Sequence, residues 1–76
     1  MDYSYVLRKL KAFFGINYYE MGRRANLQYE TVEKYASNVR VKKMAPLTKE
    51  KLDAAIYDTL AELNLTLEEF MELEFI

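Results

Sequence analysis

The chain has no cysteine, no histidine and no tryptophan, and only one proline and two glycines in 76 residues. Without cysteine there are no disulfides and no thiolate metal sites. Without histidine the commonest general base and the commonest metal ligand are both missing. Ser4 and Ser37 therefore have no imidazole to activate them, and Gly15 and Gly22 alone do not make a glycine-rich phosphate loop. These absences argue against an enzyme, and no cofactor or metal is expected. No apolar run approaches the length of a membrane span. The opening MDYSYVLRKLK also lacks the basic, apolar and small segments of a secretory signal. A cytoplasmic protein with no membrane partner is the expectation.

What the chain has in plenty is apolar surface. A hydrophobic fraction of 51% suffices for one compact core, at a length near the lower limit for a domain that folds alone. A single domain over 1–76 follows. The net charge of −1 hides an asymmetry: residues 1–43 carry nine Lys/Arg against four Asp/Glu, and residues 44–76 carry two against eight. A basic first half suits a surface that faces a polyanion. The plainer reading is that short domains are often lopsided in charge.

The hydrophobic periodicity is helical throughout, so the fold class is all-α: a compact five-helix domain with a helix-turn-helix formed by helices 2 and 3. The first helix runs from Tyr3 to Phe14, with Val6, Leu7, Leu10, Phe13 and Phe14 inward, Asp2 as its cap and Gly15 at its end. Asn17 and Glu20 give a capping-box pattern at the second start, with Ile16 and Met21 as its staple. That helix runs to about Ala25, and a third follows from about Gln28. The segment 40–46 is basic, aperiodic and contains Pro46, so it reads as a loop. Thr48 is the expected cap of a helix over 48–63, stapled by Leu47 and Leu52. Thr66 and Glu69 form a second capping box, with Leu65 and Phe70 as staple, opening a last helix over 66–75.

The informative stretch is 18–35, YYEMGRRANLQYETVEKY. A helix-turn-helix needs a small residue where the helices cross, and Gly22 stands there. It needs a residue that tolerates a left-handed backbone at the turn, and Asn26 is second only to glycine for that. Met21, Ala25, Leu27, Val32 and Tyr35 have the spacing to point inward.

With these residues the chain resembles the phage-repressor family, the λ repressor/Cro-like DNA-binding domains. The order of elements matches over residues 2 to about 63, and the match is specific only across 18–35. Gly22 and Val32 fit the family pattern outright, whereas Asn26 stands where glycine is usual. The resemblance implies a sequence-specific double-stranded DNA-binding transcriptional regulator of phage or bacterial type. Tyr18, opening the second helix, would touch a phosphate. Gln28, Tyr29 and Glu30 would meet base edges, with Thr31, Glu33 and Lys34 next along the exposed side. Arg40, Lys42 and Lys43 would hold the DNA backbone. The chemistry fits this division: Gln28 suits adenine, Thr31 a thymine methyl, and Lys34 or Arg40 a guanine or phosphate.

Glu30 and Glu33 are the awkward residues, because carboxylates in a phosphate-lined groove find a partner only in the cytosine amino group. In the plainer reading Glu30 stabilises the first helical turn and Glu33 pairs with a neighbouring cation. The alternative function is a helix-turn-helix protein-binding module, an antirepressor or an inhibitor of a nucleic-acid-binding protein, with little DNA binding. Among the seven tyrosines, Tyr5 and Tyr35 read as core or half-core, and Tyr18, Tyr19 and Tyr29 cluster at the proposed DNA face. Arg23 and Arg24 read as a solvated face. Phe70, Met71, Leu73, Phe75 and Ile76 exceed what one side of a short helix needs for its own core. They either close it or form a homodimer contact through the last helix, as members of the resembled family do.

Overall fold

The computed structural model describes residues 1–37 and 43–74. Among the described residues five helices follow one another: α1 (Tyr3–Phe14), α2 (Tyr18–Ala25), α3 (Tyr29–Ser37), α4 (Pro46–Glu62) and α5 (Leu67–Glu72). Among the described residues there is no strand, so the all-α expectation holds. α1 packs on α3, α2 on both α3 and α4, and α4 on α5. One apolar core joins them, built from Val6, Leu7 and Leu10 of α1, Met21 of α2, Val32 of α3, Leu52, Ile56 and Leu60 of α4, and Phe70 of α5.

Local signals set most of the boundaries. The Asp2 carboxylate accepts from the Tyr5 amide at 3.1 Å, and Gly15 ends α1 in the left-handed region at φ 70°. The Asn17 side chain accepts from the Glu20 amide at 2.8 Å. The return arm expected of a capping box is diverted there, because Arg23 and Arg24 take the Glu20 carboxylate. Thr66 and Glu69 make the full reciprocal box, at 3.1 Å and 2.9 Å. Each cap satisfies an amide that the helix itself cannot.

Two helix boundaries differ from expectation. α4 starts at Pro46, two residues before the expected cap Thr48, with Ala45 as an N-cap that makes no side-chain hydrogen bond. Proline is suited to the first helical position, where its fixed φ fits and its missing N–H is not needed. Leu47 is consequently turned outward, 61% exposed, and forms no staple with the buried Leu52. α5 is shorter than 66–75: Leu73 is already extended, at φ −64° and ψ 135°. Tyr5 is exposed rather than half-core, whereas Tyr35 is buried.

Lys9 is an internal residue despite its charge. It is 5% exposed, and its ammonium lies 5.3 Å from the ring centres of Tyr5, Phe13 and Phe70 while donating to the Met71 carbonyl at 3.1 Å. A cation against a helix C-terminus and aromatic faces is stabilised on both counts. With the Phe14–Phe70 stack at 6.2 Å, this contact fastens α5 to α1.

Candidate nucleic-acid interface

The corner between α2 and α3 is closed by backbone geometry. Asn26 takes the left-handed conformation at φ 55°; its amide donates to the Arg23 carbonyl at 3.3 Å, and the Leu27 amide to the Gly22 carbonyl at 2.8 Å. Those two bonds make a Schellman motif, which satisfies carbonyls the helix end would otherwise orphan. A Cβ on Gly22 would stand 2.7 Å from the Leu27 carbonyl oxygen and 3.5 Å from the Tyr29 amide nitrogen. Only glycine lets the chain leaving the turn run this close to α2. Gln28 then accepts from the Thr31 and Val32 amides through its own carbonyl, at 3.0 Å and 3.3 Å, and α3 begins.

α3 buries Val32, Tyr35 and Ala36, and its far end is held by the buried Ser4 hydroxyl, which donates to the Ala36 carbonyl at 2.7 Å. The opposite side carries Tyr29, Glu30, Lys34 and Ser37, all exposed, with Thr31 and Glu33 half-buried at its borders. Among the described residues Glu33 takes part in no salt bridge and instead hydrogen-bonds Tyr29, one turn earlier. That hydrogen bond, with the carboxylate charge, pushes the Tyr29 phenol up from its usual value, and the Tyr18 phenol lies close enough to add to the shift. The Lys34 ammonium lies 5.7 Å from the centre of the Tyr35 ring.

The structure thus gathers Tyr18, Gln28, Tyr29, Glu30, Thr31 and Lys34 around one corner. Lys43 is exposed beyond α3, and Arg40 and Lys42 lie outside the described residues. Lys11, not singled out from the sequence, belongs to the same region: its ammonium lies 4.8 Å from the centre of the half-buried Tyr18 ring. The spacing of Lys11 and Tyr18 across the Gly15 turn is the signal that points to it.

Arg23 is solvated, as expected, whereas Arg24 is tied to a second helix. Arg23 binds Glu20 at 2.5 Å. Arg24 binds Glu20 at 3.1 Å, the buried Thr59 hydroxyl at 3.1 Å, and Glu62. The Thr59 hydroxyl in turn donates a hydrogen bond to the Ala55 carbonyl at 2.7 Å. The Arg24 contacts clamp α2 onto α4 and engage its guanidinium, whereas Arg23 pairs only within α2 and keeps its side chain 65% exposed. No one-helix pattern exposes the clamp, since Arg24 and Glu62 lie 38 positions apart.

Of the residues read as a dimer contact, Phe70 is 0% exposed and completes the core of its own chain, so it has no surface to offer a second copy. Met71 is exposed; Phe75 and Ile76 lie outside the described residues. Among the described residues there is no cluster of acidic side chains able to hold a metal ion, and no helix long and apolar enough to cross a membrane.

The class of protein defined so far is a small all-α domain with a helix-turn-helix corner. Comparison with known proteins gives it no closer relative: no family model, curated protein or solved structure matches the chain.

Proposed function

We propose that this chain is a sequence-specific DNA-binding transcriptional regulator of phage or bacterial type, reading the major groove with α3. The observation that carries the proposal is the close α2–α3 corner, in which Gly22 and Asn26 present the first turns of α3 outward while its other face is anchored in the core. A helix held rigidly by its back and exposed along its front is what groove reading requires. Gln28 supplies an amide for a base edge, Thr31 a methyl and hydroxyl, and Lys34 a cation. Tyr18 and Lys11 stand together where a phosphate would pass, and Lys43, with Arg40 and Lys42, adds attraction that fixes register.

A second reading has its own observation. The exposed side of α3 carries Glu30, with Glu33 at its border, and Arg24, the arginine immediately before the α2–α3 turn, is engaged in the α2–α4 clamp. An acidic helix of this kind suits a basic protein surface, as in an antirepressor or an inhibitor of a nucleic-acid-binding protein.

Fluorescence polarisation with duplexes from upstream of the chain's own gene, at two salt concentrations, separates the two. The regulator loses affinity steeply with salt and prefers one duplex over others. Gln28→Ala and Tyr29→Ala relax that preference, whereas Lys43→Ala weakens all duplexes alike. No binding to any duplex at low salt overturns the proposal and leaves the protein-binding module.

A further inference from the structure

The outer face of α4 points to a partner of defined chemistry, a second copy of this chain. Leu47, Ala54 and Ala61 are spaced seven apart, roughly two turns each, and all three are exposed. Tyr57, 50% exposed, borders the same stripe. Isolated exposed apolar residues are ordinary, but an aligned row bordered by Tyr57 gives a second helix a surface to pack on.

The flanking charges choose the partner. A two-fold axis through Ala54, perpendicular to α4, lays a second α4 antiparallel on the first and sets Leu47 of each copy against Ala61 of the other. On one side of the stripe, Lys51 lies three residues before Ala54 and Asp58 four after it, so each lysine comes level with the partner's aspartate. On the other side, Glu50 and Tyr57 lie four before and three after, which brings each phenol to the opposite carboxylate. Among the described residues, none of Glu50, Lys51 and Asp58 takes part in a salt bridge within the chain. Charges unused inside the molecule are thus complementary to their own image across it.

We infer that the chain forms an antiparallel homodimer through the outer face of α4, centred on Ala54. One helix pair buries less than the ~1,200 Å² of a standard interface, so the association is weak, on the order of 100 μM.

Sedimentation velocity of the full chain from about 10 μM to about 1 mM reads it directly. A monomer–dimer equilibrium is expected, and Ala54→Glu, which sets two carboxylates together on the axis, weakens it by at least ~10-fold. Lys51→Glu and Asp58→Lys each weaken it, and the double variant recovers to within ~3-fold of the parent, because each new glutamate meets a new lysine in the other copy. Ala54→Cys, in a chain with no cysteine of its own, oxidises to a linked dimer faster than Ala12→Cys on α1. Circular dichroism of each variant reads its fold. A monomer at every concentration, a dimer indifferent to Ala54→Glu, or a double variant no better than the singles overturns the inference.

Discussion

Two corners of this molecule share one register and differ in what they leave open. In the first, Gly22, Asn26, Leu27, Gln28, Thr31 and Val32 lead from α2 into α3. In the second, Leu60, Asn64, Leu65, Thr66, Glu69 and Phe70 occupy the same successive places from α4 into α5. Both turn on a left-handed asparagine, at φ 55° and 58°, and both close a Schellman pair, with the Leu27 and Leu65 amides donating at 2.8 Å and 2.9 Å. The differences lie at the two ends. Leu60 has a side chain where Gly22 has none, so the chain beyond Asn64 has to leave by another path. Thr66 and Glu69 lock the first turn of α5 in a capping box, whereas Gln28 and Thr31 leave the side chains of α3's first turn available for an outside partner. The second corner spends its polar groups on itself. The first holds its helix from behind.

The largest effect that breaks this comparison is at Gly22. Alanine gains about 1 kcal/mol in helix propensity over glycine, but its Cβ would meet a backbone oxygen at 2.7 Å, and backbone cannot swing aside as a side chain does. Overpacking of this kind costs about 1–3 kcal/mol, and forcing two backbones apart belongs at the upper end. Gly22→Ala is expected to lose about 1–2 kcal/mol net in urea unfolding. A variant as stable as the parent shows that the close approach is not what glycine is there for.

A smaller effect comes from exchanging the starts of the second helices. Thr66→Ala removes the cap of α5 and costs about 1 kcal/mol. Conversely, Gln28→Thr with Thr31→Glu imports the box of the second corner into the first and adds about 1 kcal/mol. Under the proposed function the same pair of changes abolishes site preference on DNA, because the imported groups face inward to the backbone amides. A stabilised variant that keeps its preference separates the start of α3 from base reading.

These corners also mark what was legible in the chain. Asp2, Gly15, Asn17, Asn26 and the Thr66–Glu69 box act through neighbours a few residues away, and their effects can be read from spacing alone. Pro46 opens α4 where a loop is expected, because a proline suits both a loop and a first helical turn, and the choice depends on what packs behind it. The roles of Lys9, Arg24 and Phe70 depend on contacts across 62, 38 and 56 positions, respectively. No periodicity within one helix encodes such contacts. Of the candidate site, the α2–α3 corner around Gly22 and Asn26 is legible in the sequence. The engagement of Arg24 with Thr59 and Glu62 of α4 is not.

The smallest effect tests that clamp, which the α4–α5 corner lacks. The hydrogen bonds from Arg23 and then Arg24 hold the Glu20 carboxyl at about 2, against an ordinary value of 4.5. A carboxylate depressed in the folded state contributes stability that is fully present above the unfolded value and disappears as pH falls through the folded one. The contribution of Glu20 is therefore complete above about pH 4.5 and fades toward pH 2. The group is exposed, and paired charges in water stabilise little, so the effect is modest. Other carboxylates titrate in the same window, so the informative quantity is a difference. Glu20→Gln keeps the size of the side chain and removes the charge. Its stability deficit relative to the parent is expected to shrink steadily from pH 4.5 to pH 2 in parallel urea titrations. Arg24, still bound to Thr59 and Glu62, keeps α2 on α4 in the variant, so the fold itself survives. A deficit that stays constant across the window shows that the Glu20 charge does not stabilise the first corner, and that Arg24 reaches Thr59 and Glu62 without its help.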